Sequence, residues 1–96
     1  MFEVMYWSVE LAFRITPKSG PLRQMGTLLD ASRAMTQDLP AGYLKRAHWR
    51  DAGWAVFHAA KSGHPIHIAA ATESIVDAVA AEHWMTAARP IPLPAE

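Results

Sequence analysis

The hydrophobic pattern of the chain changes its period near Thr27, and this change limits the possible folds more than any other feature. Over residues 9–16 every second residue is apolar, which is typical of a half-buried strand. The apolar positions of this strand are Val9, Leu11, Phe13 and Ile15. After Thr27 the apolar residues recur at helical spacing instead. We therefore expect strands first and helices afterwards.

A turn and a second strand complete the predicted hairpin. Residues 17–21 are rich in proline and glycine, which favour a turn, and residues 22–25 form a short strand that pairs with the first. Upstream, the apolar residues lie at even positions, so the phase of the pattern changes near Trp7 and Ser8. A bulge or a strand break at that point would reconcile the two registers.

Three helices are predicted after the hairpin. Thr27 followed by Asp30 indicates a capping box at the start of the first helix. The second helix spans about residues 43–62 and ends at Gly63, and the third spans about residues 68–88. The later two helices are rich in alanine, so we expect them to pack against each other as an antiparallel pair.

The predicted fold class is α+β, with an N-terminal β-hairpin followed by three α-helices in a single small domain. A chain of 96 residues is long enough for one hydrophobic core and too short for two. We assign residues 1–89 to this domain. In residues 90–96 proline alternates with other residues, and we expect a flexible tail there.

Composition excludes several classes of function. Cysteine is absent, which excludes disulfides, thiolate nucleophiles and cysteine-ligated zinc. Nine basic residues balance nine acidic ones, so no overall charge attracts nucleic acid or anionic lipid. The N-terminus lacks the features of a signal peptide, and no apolar segment is long enough to cross a membrane. We therefore expect a cytoplasmic protein that binds no membrane.

The order of these features resembles that of a small family of alphaproteobacterial proteins, the domain of unknown function 982. Four stretches carry the resemblance: residues 9–15, 23–31, 52–63 and 71–78. The resemblance implies a hairpin followed by helices and assigns no activity. At two positions the chain departs from the pattern of the family, which usually has arginine where Thr72 stands and an aromatic residue where Ile75 stands.

Histidine is the only residue type here that suggests a metal site. The chain has five histidines, and His64 and His67 are close enough in sequence to share a metal if the loop between the helices turns back. Pro65 lies between them, and no carboxylate does. We favour the alternative that these histidines lie in a loop and on the surface, and we predict neither a metal nor another cofactor.

A mixture of basic and aromatic residues near the start of the second helix suggests an anion site. Lys45, Arg46 and Arg50 surround Trp49, and such a group can bind phosphate and stack a base. An ordinary solvated helix face is the favoured alternative, because phosphate binding strengthens with the number of phosphates neutralised and the net charge here is zero. Nucleic-acid or anionic-ligand binding is therefore the second functional hypothesis.

Aromatic residues give the second helix a second apolar face. Trp54 and Phe57 lie on a side of this helix away from its alanine stripe. One hairpin and three helices cover only one such face comfortably, and tryptophan is enriched at contact hot spots. We therefore predict that Trp49, Trp54 and Phe57 form an interface, in a homodimer or with another protein partner. The alternative is that the hairpin covers both faces within one chain.

The hairpin supports self-association independently. Two strands alone are marginally stable in water and leave two edges unpaired. Edge pairing between two copies would form a four-stranded sheet, whereas helices of the same chain could cover one edge instead. The sequence contains no nucleophile elbow, phosphate loop or dinucleotide fingerprint, and we predict no enzyme activity.

Overall fold

The predicted α+β fold is confirmed in a computed structural model, which describes residues 5–84. A two-stranded antiparallel sheet is followed by three helices. The elements are β1 (Glu10–Ile15), β2 (Met25–Thr27), α1 (Leu28–Arg33), α2 (Ala47–Ser62) and α3 (Pro65–Ala81). The predictions for residues 1–4 and 85–96, including the tail at 90–96, lie outside the described residues.

The two strands pair around a bulge. Glu10 pairs with Thr27 and Ile15 with Met25, so five steps along β1 match only two along β2. The extra residues of β1 turn away from a regular ladder, and as a result Phe13 is 53% exposed. The prediction that Phe13 shares the buried face with Leu11 and Ile15 is therefore wrong.

The position of the hairpin also differs from the prediction. β2 is formed by Met25–Thr27 rather than by residues 22–25. At Trp7 and Ser8 the backbone makes a turn before β1 begins at Glu10, which corresponds to the strand break of the two predicted alternatives, and a further register shift lies within β1. The backbone N–H of Ala12, inside the bulge, donates to the hydroxyl of Thr72 on α3 at 3.0 Å. A side chain of α3 thus takes the place of a backbone acceptor on β2. A sequence pattern of period two contains no sign of such a contact.

The predicted capping box of α1 is confirmed. The hydroxyl of Thr27 accepts from the backbone N–H of Asp30 at 3.1 Å, and the Asp30 carboxylate accepts from the N–H of Thr27 at 3.2 Å. The N–H of Gly26 also donates to that carboxylate at 2.9 Å. These bonds hold the pKa of Asp30 below its ordinary value, with that from Gly26 contributing most. Helix α1 therefore starts at a fixed point directly after β2.

A π-helical turn over Ala34–Asp38 continues α1 and ends at an ion pair with the hairpin. The Arg23 guanidinium donates to the Asp38 carboxylate at 2.8 and 2.9 Å, and the Arg23 backbone N–H donates to it at 3.0 Å. The guanidinium bonds lower the pKa of the Asp38 carboxyl. The end of this helical segment is thereby fixed against the chain that leads into β2.

Helix α2 starts later than predicted and ends as predicted. A 3₁₀ turn over Tyr43–Lys45 comes first, and Arg46 is extended, with φ −71° and ψ 141°. The predicted continuous helix over residues 43–62 is therefore divided. Gly63 ends α2 in the left-handed region, at φ +65°, where glycine is favoured.

Helix α3 is shifted relative to its predicted span. It begins at Pro65, because proline suits the first helical position and the His64 ring accepts from the Ile66 N–H at 3.3 Å. It ends at Ala81 rather than near residue 88, and His83 follows in the left-handed region at φ +66°. The predicted end is therefore wrong, because Glu82 leaves the helix to bond with residues near the start of α2.

The core lies between the hairpin and the helices, and α2 packs against α3. Residues near the start of α2 contact residues that follow the end of α3, so the pair is antiparallel as predicted. The fully buried larger side chains are Ile15, Met25, Leu28, Trp49, Val56, Thr72, Ile75 and Val79. Thr72 is the polar member of this set, and its hydroxyl donates to the Ile68 carbonyl at 2.8 Å.

Candidate functional site

Helix α2 has an inner and an outer face, and the two faces carry different aromatic residues. Its inner stripe is completely or almost completely buried: Trp49, Ala52, Val56, Ala59 and Ala60. On the opposite side Trp54 is 59% exposed and Phe57 is 41% exposed. The predicted second apolar face therefore exists, and within residues 5–84 no element covers it.

Trp49 does not lie on the outer face, which corrects the prediction that it is an interface residue. Its side chain is fully buried, and its indole N–H donates to a carboxylate oxygen of Glu82 at 3.0 Å. A buried indole needs such an acceptor, and Glu82 supplies one from the end of α3. The ring centroid of Trp84 lies 6.1 Å from that of Trp49. Trp49 therefore contributes mainly to the core.

Glu82 connects the end of α3 to the start of α2. Its carboxylate accepts from Arg46 at 2.8 Å, from Trp49 at 3.0 Å, and lies 2.9 Å from Nε2 of His48. The side chain is only 9% exposed. Burial by itself would raise the pKa of this carboxyl, but the bonds from His48, Trp49 and Arg46 outweigh it and hold the pKa below its ordinary value.

Sequence reasoning missed Glu82 as a buried anion. The available signal was its position, because Glu82 follows Ala78 and Val79 at the spacing of the buried stripe of α3. A carboxylate within a buried apolar stripe is stable only when hydrogen-bond donors or cations lie next to it. Those partners lie more than thirty residues earlier in the chain.

The structure divides the predicted anion site. Arg46 donates to both carboxylate oxygens of Glu82 at 2.8 Å, and its guanidinium carbon lies 4.1 Å from the centre of the Tyr43 ring. Its charge is thus paired within the chain. Lys45 and Arg50 are exposed, and two cations provide less phosphate neutralisation than the predicted three. The geometry does not favour the second functional hypothesis.

An open apolar groove of about 410 Å³ lies along α2. It is lined by Leu44, Arg50, Gly53, Trp54 and Phe57, and it borders Trp49, whose side chain is fully buried and exposes no surface to it. The rings of Trp54 and Phe57 meet edge to face with their centroids 6.2 Å apart. Nothing lies within 4 Å of where a side chain on Gly53 would begin. The absence of that side chain leaves open space next to two exposed aromatic rings.

His64 and His67 have structural partners. Nδ1 of His64 caps α3, and Nδ1 of His67 lies 2.7 Å from the hydroxyl of Ser62. Their ring centroids are 5.6 Å apart. Among residues 5–84 no group of three or more His, Cys, Asp or Glu side chains could hold a metal ion. Within the described part of the chain the two rings therefore have no third such side chain beside them, whereas a zinc centre has three or four protein ligands.

A second, polar pocket of about 330 Å³ opens where the bulge separates β1 from β2. Glu10, Arg14, Gln24, Thr27 and Asp30 are its polar side chains. The Asp30 carboxylate already caps α1. The groove on α2 is the stronger candidate site, because its exposed aromatic residues have no such structural task.

Comparison of the chain with protein-family models, with curated proteins and with solved structures finds no match. The resemblance to the domain of unknown function 982 stays a prediction. None of the helices in the described part of the chain has the length and apolar character needed to span a membrane.

Proposed function

We propose that this protein is a non-enzymatic cytoplasmic module that acts through self-association and protein contacts, and that the groove on α2 is its contact surface. The observation that carries the proposal is the exposure of Trp54 and Phe57 opposite the core-facing stripe of α2. Burial of one large apolar side chain contributes roughly 1.5–3 kcal/mol. Two adjacent aromatic rings therefore provide a sizeable driving force for association.

A glycine at the groove supports the proposal. Gly53 lies inside a helix, where glycine costs roughly 0.5–1 kcal/mol relative to alanine. Apart from its two chain neighbours and the backbone of its own helix, an alanine Cβ at this position would meet no atom within 4 Å. Steric crowding within the chain therefore does not require the glycine. Its clearest effect is to keep the groove open beside Trp54.

A second copy of the chain is the partner we propose. The net charge of zero produces little repulsion between copies. Each copy carries the groove, so a symmetric pair of copies can cover both grooves at once. A two-fold dimer is the commonest closed arrangement of this kind.

The proposal predicts that the full chain is dimeric at tens of micromolar and that the Trp54→Ala/Phe57→Ala variant is monomeric. Light scattering coupled to size-exclusion chromatography should give about twice 10.6 kDa for the wild type and a single chain mass for the variant. Because both rings are exposed, circular dichroism of the variant should show an intact fold.

Leu29→Ala is the matched control, because Leu29 is 36% exposed on α1 and does not line the groove. This variant should remain dimeric. A wild-type chain that stays monomeric would contradict the proposal. Loss of the dimer in Phe13→Ala, with Trp54→Ala/Phe57→Ala still dimeric, would place the contact at the bulged strand β1 instead.

A further inference from the structure

The outer face of α3 has the opposite character to that of α2. Glu73 and Asp77 are exposed, four residues apart, on the side away from Ile75 and Val79. The other exposed residues on that side are Ile66, which is 69% exposed, and the small residues Ala69, Ala70, Ala80 and Ala81. Within residues 5–84 neither carboxylate forms an ion pair. The outer face of α3 is thus acidic at its centre, with alanines on both sides and the apolar Ile66 near its start.

The outer face of α2 is aromatic and carries two cations, Arg50 and Lys61, and one anion, Asp51. Arg50 and Lys61 flank Trp54 and Phe57 along this helix. The two cations are eleven residues apart, which corresponds to about 16 Å along the axis. In the described part of the chain Arg50 has no ion pair, and the Lys61 ammonium lies 5.7 Å from the centre of the Phe57 ring.

We infer that, in the self-association proposed above, the groove on α2 of one copy receives the outer face of α3 of the second copy. The inference rests on the proposed function and names the two surfaces that meet. Alanine side chains leave room for bulky rings, so the α3 face accepts Trp54 and Phe57. The central carboxylates of α3 then lie between the two cations of α2.

The two helices match in length, with 16 residues in α2 and 17 in α3. Two-fold symmetry forms the contact twice, once from each copy. Four helices then enclose four aromatic rings, with the cations of α2 towards the two ends of each contact and the carboxylates of α3 between them. Such charges determine which surfaces pair more than they determine total affinity.

Packing of α2 against α2 of the second copy is less favourable electrostatically. That arrangement brings Arg50 and Lys61 of both copies to one interface, with Asp51 as the nearest opposing charge on this face. Like charges that face each other across an interface are costly. The acidic face of α3 avoids this repulsion.

A charge-exchange experiment on the full chain tests the inference. The Glu73→Lys/Asp77→Lys variant has basic residues on both outer faces, and the Arg50→Glu/Lys61→Glu variant has acidic residues on both. Each variant alone should dimerise at least about tenfold more weakly than the wild type, because every contact now joins like charges. Mixed in equal amounts, the two should form a heterodimer, because both contacts are then complementary.

Lys18→Glu/Arg33→Glu is the control for net charge. Both residues are exposed and neither lines the groove. Each reversal from a basic to an acidic residue lowers the net charge by two, so the double change lowers it by four. Arg50→Glu/Lys61→Glu lowers it by the same amount. Alone, this control should dimerise like the wild type. Mixed with Glu73→Lys/Asp77→Lys, it should form less heterodimer than Arg50→Glu/Lys61→Glu does. Sedimentation velocity at low and high salt measures every combination, and salt should weaken the differences.

The outcomes separate the inference from the proposed function. If Trp54→Ala/Phe57→Ala dissociates the dimer while both charge variants retain wild-type affinity, the groove is the contact and the assignment of α3 is wrong. If the control rescues Glu73→Lys/Asp77→Lys as well as Arg50→Glu/Lys61→Glu does, net charge explains the effect and the assignment again fails. A monomeric wild-type chain overturns both.

Discussion

At the scale of single residues, Glu82 links more side chains than any other carboxylate described. It joins the end of α3 to the start of α2 through bonds to Arg46, His48 and Trp49. The burial of Trp49 depends on it, because an indole N–H without an acceptor in the core is costly. One carboxylate therefore supplies the acceptor that allows Trp49 to lie fully buried in the core.

We expect Glu82→Gln to destabilise the fold at neutral pH by about 1–3 kcal/mol, because three donors lose a charged acceptor. Urea denaturation followed by tryptophan fluorescence measures the change. Glu73→Gln is the matched control, since Glu73 is exposed on the same helix, and it should change the free energy of unfolding by less than about 0.5 kcal/mol.

The same variant should alter the dependence of stability on pH. The pKa of Glu82 is lower in the folded chain than in the unfolded one, so its contribution is present above the unfolded value of about 4.3 and is lost as pH falls through the folded value. Asp30 and Asp38, whose pKa values are also lowered, should act in the same direction.

The difference in unfolding free energy between wild type and Glu82→Gln should therefore be greatest near neutral pH and should shrink below about pH 4. Urea titrations at a series of pH values measure this difference. A difference that stays constant across the acidic range would show that the charge of Glu82 does not stabilise the fold.

At the scale of elements, two glycines of the α2 region illustrate opposite requirements. Gly53 has helical geometry and open space at its Cβ position. Gly63 has φ +65°, and a Cβ there would lie 2.8 Å from the Tyr6 ring. Only Gly63 is required by the geometry of the chain, because it ends α2 where Tyr6 packs closely.

We expect Gly53→Ala to stabilise the fold by roughly 0.5–1 kcal/mol, because alanine has the higher helix propensity. Gly63→Ala should destabilise it by at least about 1 kcal/mol, since an L-residue is strained in the left-handed region. Thermal unfolding of the two variants at one low protein concentration tests both signs. Equal effects would contradict the different environments of the two glycines.

At the scale of the whole molecule, α2 separates the core from the proposed contact surface. Its inner stripe completes the core with Trp49, while Trp54 and Phe57 remain outside. A chain this small buries a limited fraction of its surface. Association would provide additional burial that the single chain lacks, and it would couple folding to protein concentration.

The melting temperature of the wild type should therefore rise with protein concentration, because a partner that binds only the folded chain stabilises it by mass action. That of Trp54→Ala/Phe57→Ala should be independent of concentration. Calorimetry over a hundredfold concentration range measures both. A wild-type melting temperature that does not change would argue against a dimer coupled to folding.

Some properties of this protein follow from the sequence alone. The change from strands to helices, the capping box of Thr27 and Asp30, and the end of α2 at Gly63 were all predictable, because each depends on residues close together in the chain. The outward position of Trp54 and Phe57 followed from helical periodicity for the same reason.

Other properties were decided only by the tertiary structure. Burial of Trp49, pairing of Arg46 and the end of α3 at Ala81 depend on Glu82, whose partners lie 33–36 residues away in sequence. The bulge that exposes Phe13 depends likewise on Thr72, sixty residues from Ala12. Local patterns carry no information on which distant polar groups will meet, and a buried polar group is stable only where such a partner is present.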